Sequence, residues 1–431
     1  MARPLRIIYL SGLWYHDLWF LKHLAAAGHD VTSIRIYRTP GMDRFEKQLE
    51  GMKGVRHQEL THWFPEAMAS GGIPELTVAR RLRAFLHVQR ADILQCGWLS
   101  DGGVLAALTG FHPLLITPFG SDVLINPYRS LEHLWKARLA LRCADALTTD
   151  SIEVAHRISQ ISGYPHDRIV RFPWGIDLAR FRPDAIPAGI RKTLGWEKRT
   201  VLIATRNLEP VYGTAFLLQA LPGVLKVRPD VALLVVGDGS ERRLLEETAR
   251  DLGIRDCVRF VGYVPNAELQ GLLVESDYCV TAALSDGTSR SLMEAFACGL
   301  PAAAATDVPA VFEWMKEGVH GSIVRRADAP DMTRGILKAL AADRGSMRDA
   351  CLRTARESFD ENRNIARLQG MYEALMAGQR SPLPEPRQTL PALDLGSVNH
   401  VPYVHPSWRA RAAEWLVIAA LWRRSRRMRR S

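Results

Sequence analysis

Two carboxylates eight positions apart, Asp286 and Glu294, bracket the stretch of this chain best suited to chemistry. An apolar run, Tyr278 to Ala283, precedes them and reads as the end of a buried strand. Gly287, Thr288 and Ser289 then form a small polar turn that opens a helix with apolar residues on one side, stopped by Gly299-Leu300-Pro301. The first amides of a helix have no partner within it and bind anions well. Carboxylates accept hydrogen bonds from sugar hydroxyls, so turn and acids together suit a phosphorylated sugar or a nucleotide. Glu294 is expected about two turns into the helix. Ser291-Leu292-Met293-Glu294 also fits a capping box, in which Glu294 only satisfies a backbone N–H. This stretch taken alone leaves both readings open.

The elements that must carry this turn alternate along the chain. Leu5 to Leu10 is a short strand ending at Ser11-Gly12, a helical pattern runs from Leu18 to Ala27 and closes at Gly28, and His29 to Ile34 returns to strand. Strand, helix, strand in so short a span is a βαβ unit, with a parallel sheet and ligands at the C-terminal strand ends. The first loop has one glycine, Gly12, so the dinucleotide G-x-G-x-x-G fingerprint is absent. Residues 40–75 read as irregular. Strands resume at Ala91–Cys96, Pro113–Thr117 and Ala144–Thr149, and Arg171 to Asp184 has the proline and glycine content of an interdomain linker. The second half repeats the pattern: strands at 200–204, 231–236, 258–261 and 278–283, helices at 214–227, 241–252 and 266–276. The fold class is therefore α/β, with two domains and a cleft between them as the usual place for a ligand.

Bulk composition agrees. A chain of 431 residues with 47% hydrophobic and 24% charged residues can bury two ordinary cores. The net charge of +10 is mostly a tail property: residues 407–431 hold eight arginines against Glu414, leaving only +3 for everything before. A nucleic-acid partner is a poor fit, because the body offers no matching basic groove. Six cysteines are scattered without a C-x-x-C pair or a His/Cys cluster, which argues against structural zinc and for a reducing, cytoplasmic setting. No signal-peptide pattern opens the chain, and no apolar run approaches the roughly 20 residues of a membrane span.

Several motifs together resemble the retaining, GT-B-fold glycosyltransferases of family 4, over nearly all of 5–377. Trp174-Gly175-Ile176-Asp177 with Phe181-Arg182-Pro183 resembles the family's interdomain N-G-V-D…F-x-P segment. Val236-Gly237-Asp238-Gly239 with Val258-Arg259-Phe260-Val261-Gly262-Tyr263-Val264-Pro265 resembles its V-G-x-G…V-x-F-x-G-x-V-P run. Asp286 and Glu294 fall on its E-x7-E pair, and this spacing tips Glu294 towards function. The resemblance implies two Rossmann-like domains facing a cleft: 1–175 for acceptor, 176–355 for donor, then a helix at 356–377 crossing back to the first domain. It implies that Glu294 holds the donor ribose, that Asp286 faces the sugar, and that amides after Asp286 (Gly287, Thr288, Ser289) hold the diphosphate. Gly262, Tyr263 and Val264 would line the base. No cofactor is implied beyond the nucleotide-sugar substrate, and no D-x-D metal signature appears.

Three positions depart from the family pattern. Arg206 matches its diphosphate-binding arginine, but Tyr212 stands before Gly213 where lysine is expected. Loss of one cation near a departing diphosphate costs on the order of several kcal/mol of leaving-group stabilisation. Tyr212 still donates a hydrogen bond, and Arg290 either supplies charge or faces solvent. Asp286 replaces a glutamate and is one methylene shorter. Thr117-Pro118-Phe119-Gly120-Ser121-Asp122 resembles T-x-H-G-x-D, with Phe119 for histidine and Asp122 retained as a cleft residue, and the resemblance makes Asp122, Arg206 and Asp286 the catalytic candidates. Acceptor-side candidates are Gly12, Trp14 and His16, among the aromatic and polar residues Trp14 to Asp17 that follow the first strand.

Residues 378–406 are a proline-rich linker. Beyond them Trp408, Ala412, Trp415, Ala419 and Trp422 form one helical stripe flanked by arginines, which suits an anionic bilayer interface. The expected activity is transfer of a sugar from a nucleotide-diphosphate donor to a hydroxyl of a saccharide or lipid-linked acceptor in envelope or surface-polysaccharide assembly, at the inner face of the plasma membrane. A nucleotide-sugar epimerase and a non-catalytic nucleotide-binding scaffold are the alternatives.

Overall fold

The structure, a computed structural model, describes residues 3–12, 15–35, 49–60 and 75–378. The expected proline-rich linker beyond Gly378 and the tryptophan–arginine tail lie outside these residues, as does Trp14. The chain divides into two compact units, Met1–Phe172 with Ile365–Ser431, and Pro173–Asn364.

The first unit is a seven-stranded sheet in the order β3-β2-β1-β4-β5-β6-β7, every pair parallel. Its strands are β1 Arg6–Ser11, β2 Asp30–Arg35, β3 Val55–Glu59, β4 Ile93–Cys96, β5 Leu114–Ile116, β6 Ala146–Thr149 and β7 Ile169–Arg171. Helices cover both faces, so the central strands are apolar throughout: Ile7, Ile8, Tyr9 and Leu10 are all buried. One expectation fails here. Residues 40–75 are not wholly irregular, because Val55–Glu59 adds the edge strand β3. Its sequence, Val-Arg-His-Gln-Glu, is polar since an edge strand is only half covered, and this hides it from a hydrophobicity reading.

The second unit is a six-stranded parallel sheet, β10-β9-β8-β11-β12-β13. Its strands are β8 Thr200–Thr205, β9 Val231–Val236, β10 Val258–Gly262, β11 Tyr278–Thr281, β12 Ala302–Thr306 and β13 Gly321–Val324. Strand β12 is four alanines and a threonine, a composition with low strand preference. Tertiary packing overrides it. The helix Ala329–Ala341 presses so close that a methyl on Gly335 would lie 2.2 Å from Val324 Cγ1 and 3.7 Å from Ala304 Cβ, and only small side chains fit beneath.

The strand order of each sheet reverses once, between β1 and β4 in the first unit and between β8 and β11 in the second. A crevice opens at such a point at the C-terminal strand ends, and ligands of open α/β sheets bind there. The last helix, Glu361–Met376, begins in the second unit and belongs to the first from Ile365 onward, as the crossing-back helix requires. Tyr372 on it is buried and donates its hydroxyl to Gln95 Oε1 on β4. All six cysteines are buried free thiols.

Candidate active site

In the second unit, Arg206 follows the last residue of β8 and Asp286 lies five residues beyond β11, so the strand-order reversal brings them to one crevice. Arg206 Nη2 donates to Asp286 Oδ2 at 2.6 Å, and both side chains are largely buried. The loops carrying them are stitched together, Leu284 N donating to Val211 O at 2.8 Å. Glycines make this closeness possible. A Cβ on Gly213 (φ +60°) would lie 2.3 Å from Ala282 O, and one on Gly237 (φ +139°) 2.1 Å from Arg206 O. Arg326 props the same turn from below in sequence, donating to Leu284 O at 3.3 Å and to Asp307 Oδ1 at 3.0 Å.

The helix after the turn is Arg290–Ala297, capped at Ser289 without a side-chain cap bond. Glu294 therefore sits one turn into it, not two. It also makes no capping box: Glu294 Oε1 accepts instead from Asn266 Nδ2 and Arg290 Nε, each at 3.0 Å. Burial pushes the Glu294 carboxyl above the usual range, opposed by Arg290, Asn266 and Arg206. Thr288 and Ser289 are buried beside it.

The four basic or aromatic positions weighed from sequence resolve unequally. Arg206 lies over the Tyr212 ring with its guanidinium carbon 4.2 Å from the centroid, so Tyr212 occupies the place of a cation by stacking on one. Arg290 does not face solvent; it is spent on Glu294 and on Gly175 O, to which Nη1 donates at 3.1 Å. Gly262 ends β10 and accepts from Gly237 N at 2.8 Å, Tyr263 is exposed, and Val264 is partly buried. Asn266 was not singled out by sequence; its only signal is its place directly after the Val264-Pro265 pair.

In the first unit the reversal lies beside Ser11, Gly12 and Gly97. Asp17 is fully buried and pins this loop: its Oδ1 accepts from Tyr9 Oη at 2.9 Å, its Oδ2 from Ser11 Oγ and Gly12 N at 3.0 Å each. The His16 ring packs on Phe119, centroids 4.9 Å apart. A Cβ on Gly97 would lie 2.3 Å from both Asp17 Oδ1 and Tyr9 Oη and 2.8 Å from Phe119 Cζ, so this position admits no side chain. Asp122 is buried with both oxygens committed to main chain, Oδ1 to Phe119 N and Gly120 N, Oδ2 to Leu99 N. Burial raises its carboxyl to about 6 against the pull of those three amides. Among the described residues no group of three His, Cys, Asp or Glu side chains is placed to hold a metal ion.

The family described as "Glycosyltransferase Family 4" matches residues 16–180, and "Glycosyl transferases group 1" matches 188–358. A GDP-mannose-dependent alpha-(1-6)-phosphatidylinositol monomannoside mannosyltransferase of Mycobacterium tuberculosis is 31% identical over 332 residues, 72% of this chain and 82% of that protein. The chain belongs to glycosyltransferase family 4. The protein of the same description from Mycolicibacterium smegmatis is 29% identical over 287 residues, 63% of this glycosyltransferase and 73% of that one. The fold is GT-B: the glycosyltransferase superposes on HepE of Anabaena, solved with UDP-glucose, at a TM-score of 0.72 and 18% identity, covering 86% of this chain and all of that one. Sucrose-phosphate synthase of Thermosynechococcus elongatus superposes at a TM-score of 0.70 and 19% identity, over 88% of this chain and all of that one.

Proposed function

We propose that this glycosyltransferase moves a sugar from a nucleotide-diphosphate donor to a hydroxyl of a lipid-linked or saccharide acceptor, with retention, in cell-envelope glycolipid or polysaccharide assembly. The observation that carries the donor half is Glu294. A buried carboxylate with one oxygen held by Asn266 and Arg290 presents the other in a fixed direction, as a ribose diol requires. The diphosphate meets the amides of Gly287, Thr288 and Ser289 at the helix start, with Arg206 and Tyr212 beside them, and Gly262, Tyr263 and Val264 line the base.

Chemically, the step turns on the charge that grows on the departing diphosphate. Helix-start amides and a guanidinium already fixed in place stabilise that charge without reorganising. Asp286 holds Arg206 in position and faces the sugar. Asp122, whose oxygens are spent on amides, contributes by shaping the Phe119–Gly120 loop, while Gly12, Trp14 and His16 serve the acceptor. The relatives named as phosphatidylinositol mannoside mannosyltransferases support a lipid-linked acceptor.

Thermal stability of the wild type and of Glu294→Ala with UDP, GDP, ADP and dTDP tests this reading. A ligand at about 100 times its Kd adds about 2.7 kcal/mol to native stability. One nucleotide should stabilise the wild type alone; equal stabilisation of Glu294→Ala rejects the assignment of Glu294.

A further inference from the structure

In the first unit, a 3-10 turn, Asn126–Arg129, leads into the helix Leu131–Cys143 just after the Asp122 segment at the C-terminal side of β5. Three large apolar side chains stand in water on this short run: Tyr128, 41% exposed, Leu131, 48%, and Trp135, 50%. Leu131, Trp135 and Arg138 are spaced four and three apart, so they form one outward helix face, while Ala137, Ala140 and Leu141 bury the other. Single exposed apolar residues are ordinary; an aromatic pair and a leucine within eight positions are a patch.

The charges set against the aromatic rings of the patch are positive. The Arg138 guanidinium lies 5.7 Å from the centre of the Trp135 ring, and that of Arg157 5.3 Å from the Tyr128 ring. Among the described residues Arg129, Arg138 and Arg157 make no ion pair, whereas Glu75 and Glu132 are both bound by Lys136. Exposed tryptophan, tyrosine and leucine carrying arginines on their edges match the headgroup layer of a bilayer, apolar below and anionic above. A folded partner would have to supply both an acidic rim and an apolar floor, which an anionic membrane provides everywhere.

We propose that the Tyr128–Leu131–Trp135 face, with Arg129, Arg138 and Arg157, docks this unit on an anionic phospholipid surface. Because the strands are parallel, the patch, after β5, and Gly12, after β1, both lie toward the C-terminal side of one sheet. A lipid-linked acceptor, if the functional reading above holds, thus meets the protein without leaving its bilayer.

Cosedimentation of the full chain with vesicles of phosphatidylcholine, or of phosphatidylcholine and phosphatidylglycerol in equal parts, tests this. The variants are Leu131→Ser/Trp135→Ser, Arg138→Gln/Arg157→Gln, and Arg243→Gln as a surface control on the second unit. The wild type should favour the anionic vesicles. The apolar double should lose at least about tenfold in partitioning, since two buried side chains are removed. The arginine double should lose about 25-fold on anionic vesicles only, each basic residue accounting for about a factor of five. Wild-type partitioning by both doubles, with residues 407–431 intact, overturns the proposal and leaves another segment as the anchor. So does a wild type that ignores vesicles, or one whose self-association in plain buffer is abolished by Leu131→Ser/Trp135→Ser. Nucleotide-induced stabilisation of each variant is read alongside, so a failed donor site and a failed membrane face are told apart.

Discussion

The Arg206 guanidinium lies 4.2 Å from the centre of the Tyr212 ring while its Nη2 holds Asp286 at 2.6 Å. An aromatic ring thus steadies one cation where the family pattern has two. Tyr212→Lys restores the second charge and removes the stack. Nucleoside diphosphate affinity should rise about tenfold, the scale of one charge-assisted hydrogen bond, while stability falls by about 1 kcal/mol. Titration calorimetry beside thermal melts measures both; an unchanged affinity places the diphosphate away from Tyr212.

Arg290 is the cation four residues before Glu294 and bonded to it. Without it the buried carboxylate keeps only Asn266 and Arg206 against desolvation, so its pKa climbs further. Arg290→Leu should weaken nucleotide binding about tenfold, and the loss should deepen as pH falls, because protonated Glu294 accepts less well. Arg290→Lys should recover part of it. A pH-independent loss would mean that Arg290 acts through Gly175 and not through Glu294.

Asp122 makes stability depend on pH in a predictable direction. Its carboxyl titrates near 3.8 when unfolded and at about 6 when buried. Between those values the folded protein holds a proton that the unfolded chain has released, so this group's contribution falls as pH rises through the window, by about 3 kcal/mol in all. Asp122→Asn cannot titrate. Urea denaturation from pH 4 to pH 7 should show that downward slope in the wild type and its loss in the variant, a comparison that cancels every other titrating group.

Gly97→Ala should destabilise the protein by about 1–3 kcal/mol, since a methyl there collides with Asp17, Tyr9 and Phe119 together. Asp17, one of the side chains it would displace, holds Gly12 in place. Denaturant midpoints at constant slope give the value; a shift near zero would show that the loop yields without cost.

The alternation of apolar runs with helical stripes made two α/β domains legible in the chain itself. Strands such as Val231–Val236 and helices such as Thr214–Val227 appear where local hydrophobic pattern places them, because buried parallel strands must be apolar along their whole length. Partnerships across long separations carry no such mark. Arg206 finds Asp286 eighty positions away only because β8 and β11 are neighbours at the reversal of the sheet. Asn266 reaches Glu294 across 28 positions, and that bond, with Arg290, engages Glu294 in place of a capping box on its own helix. The polar edge strand β3 and the alanine strand β12 were likewise set by what packs against them. Composition records what a residue is. Its neighbours in space, which the folded chain alone assembles, determine what it does.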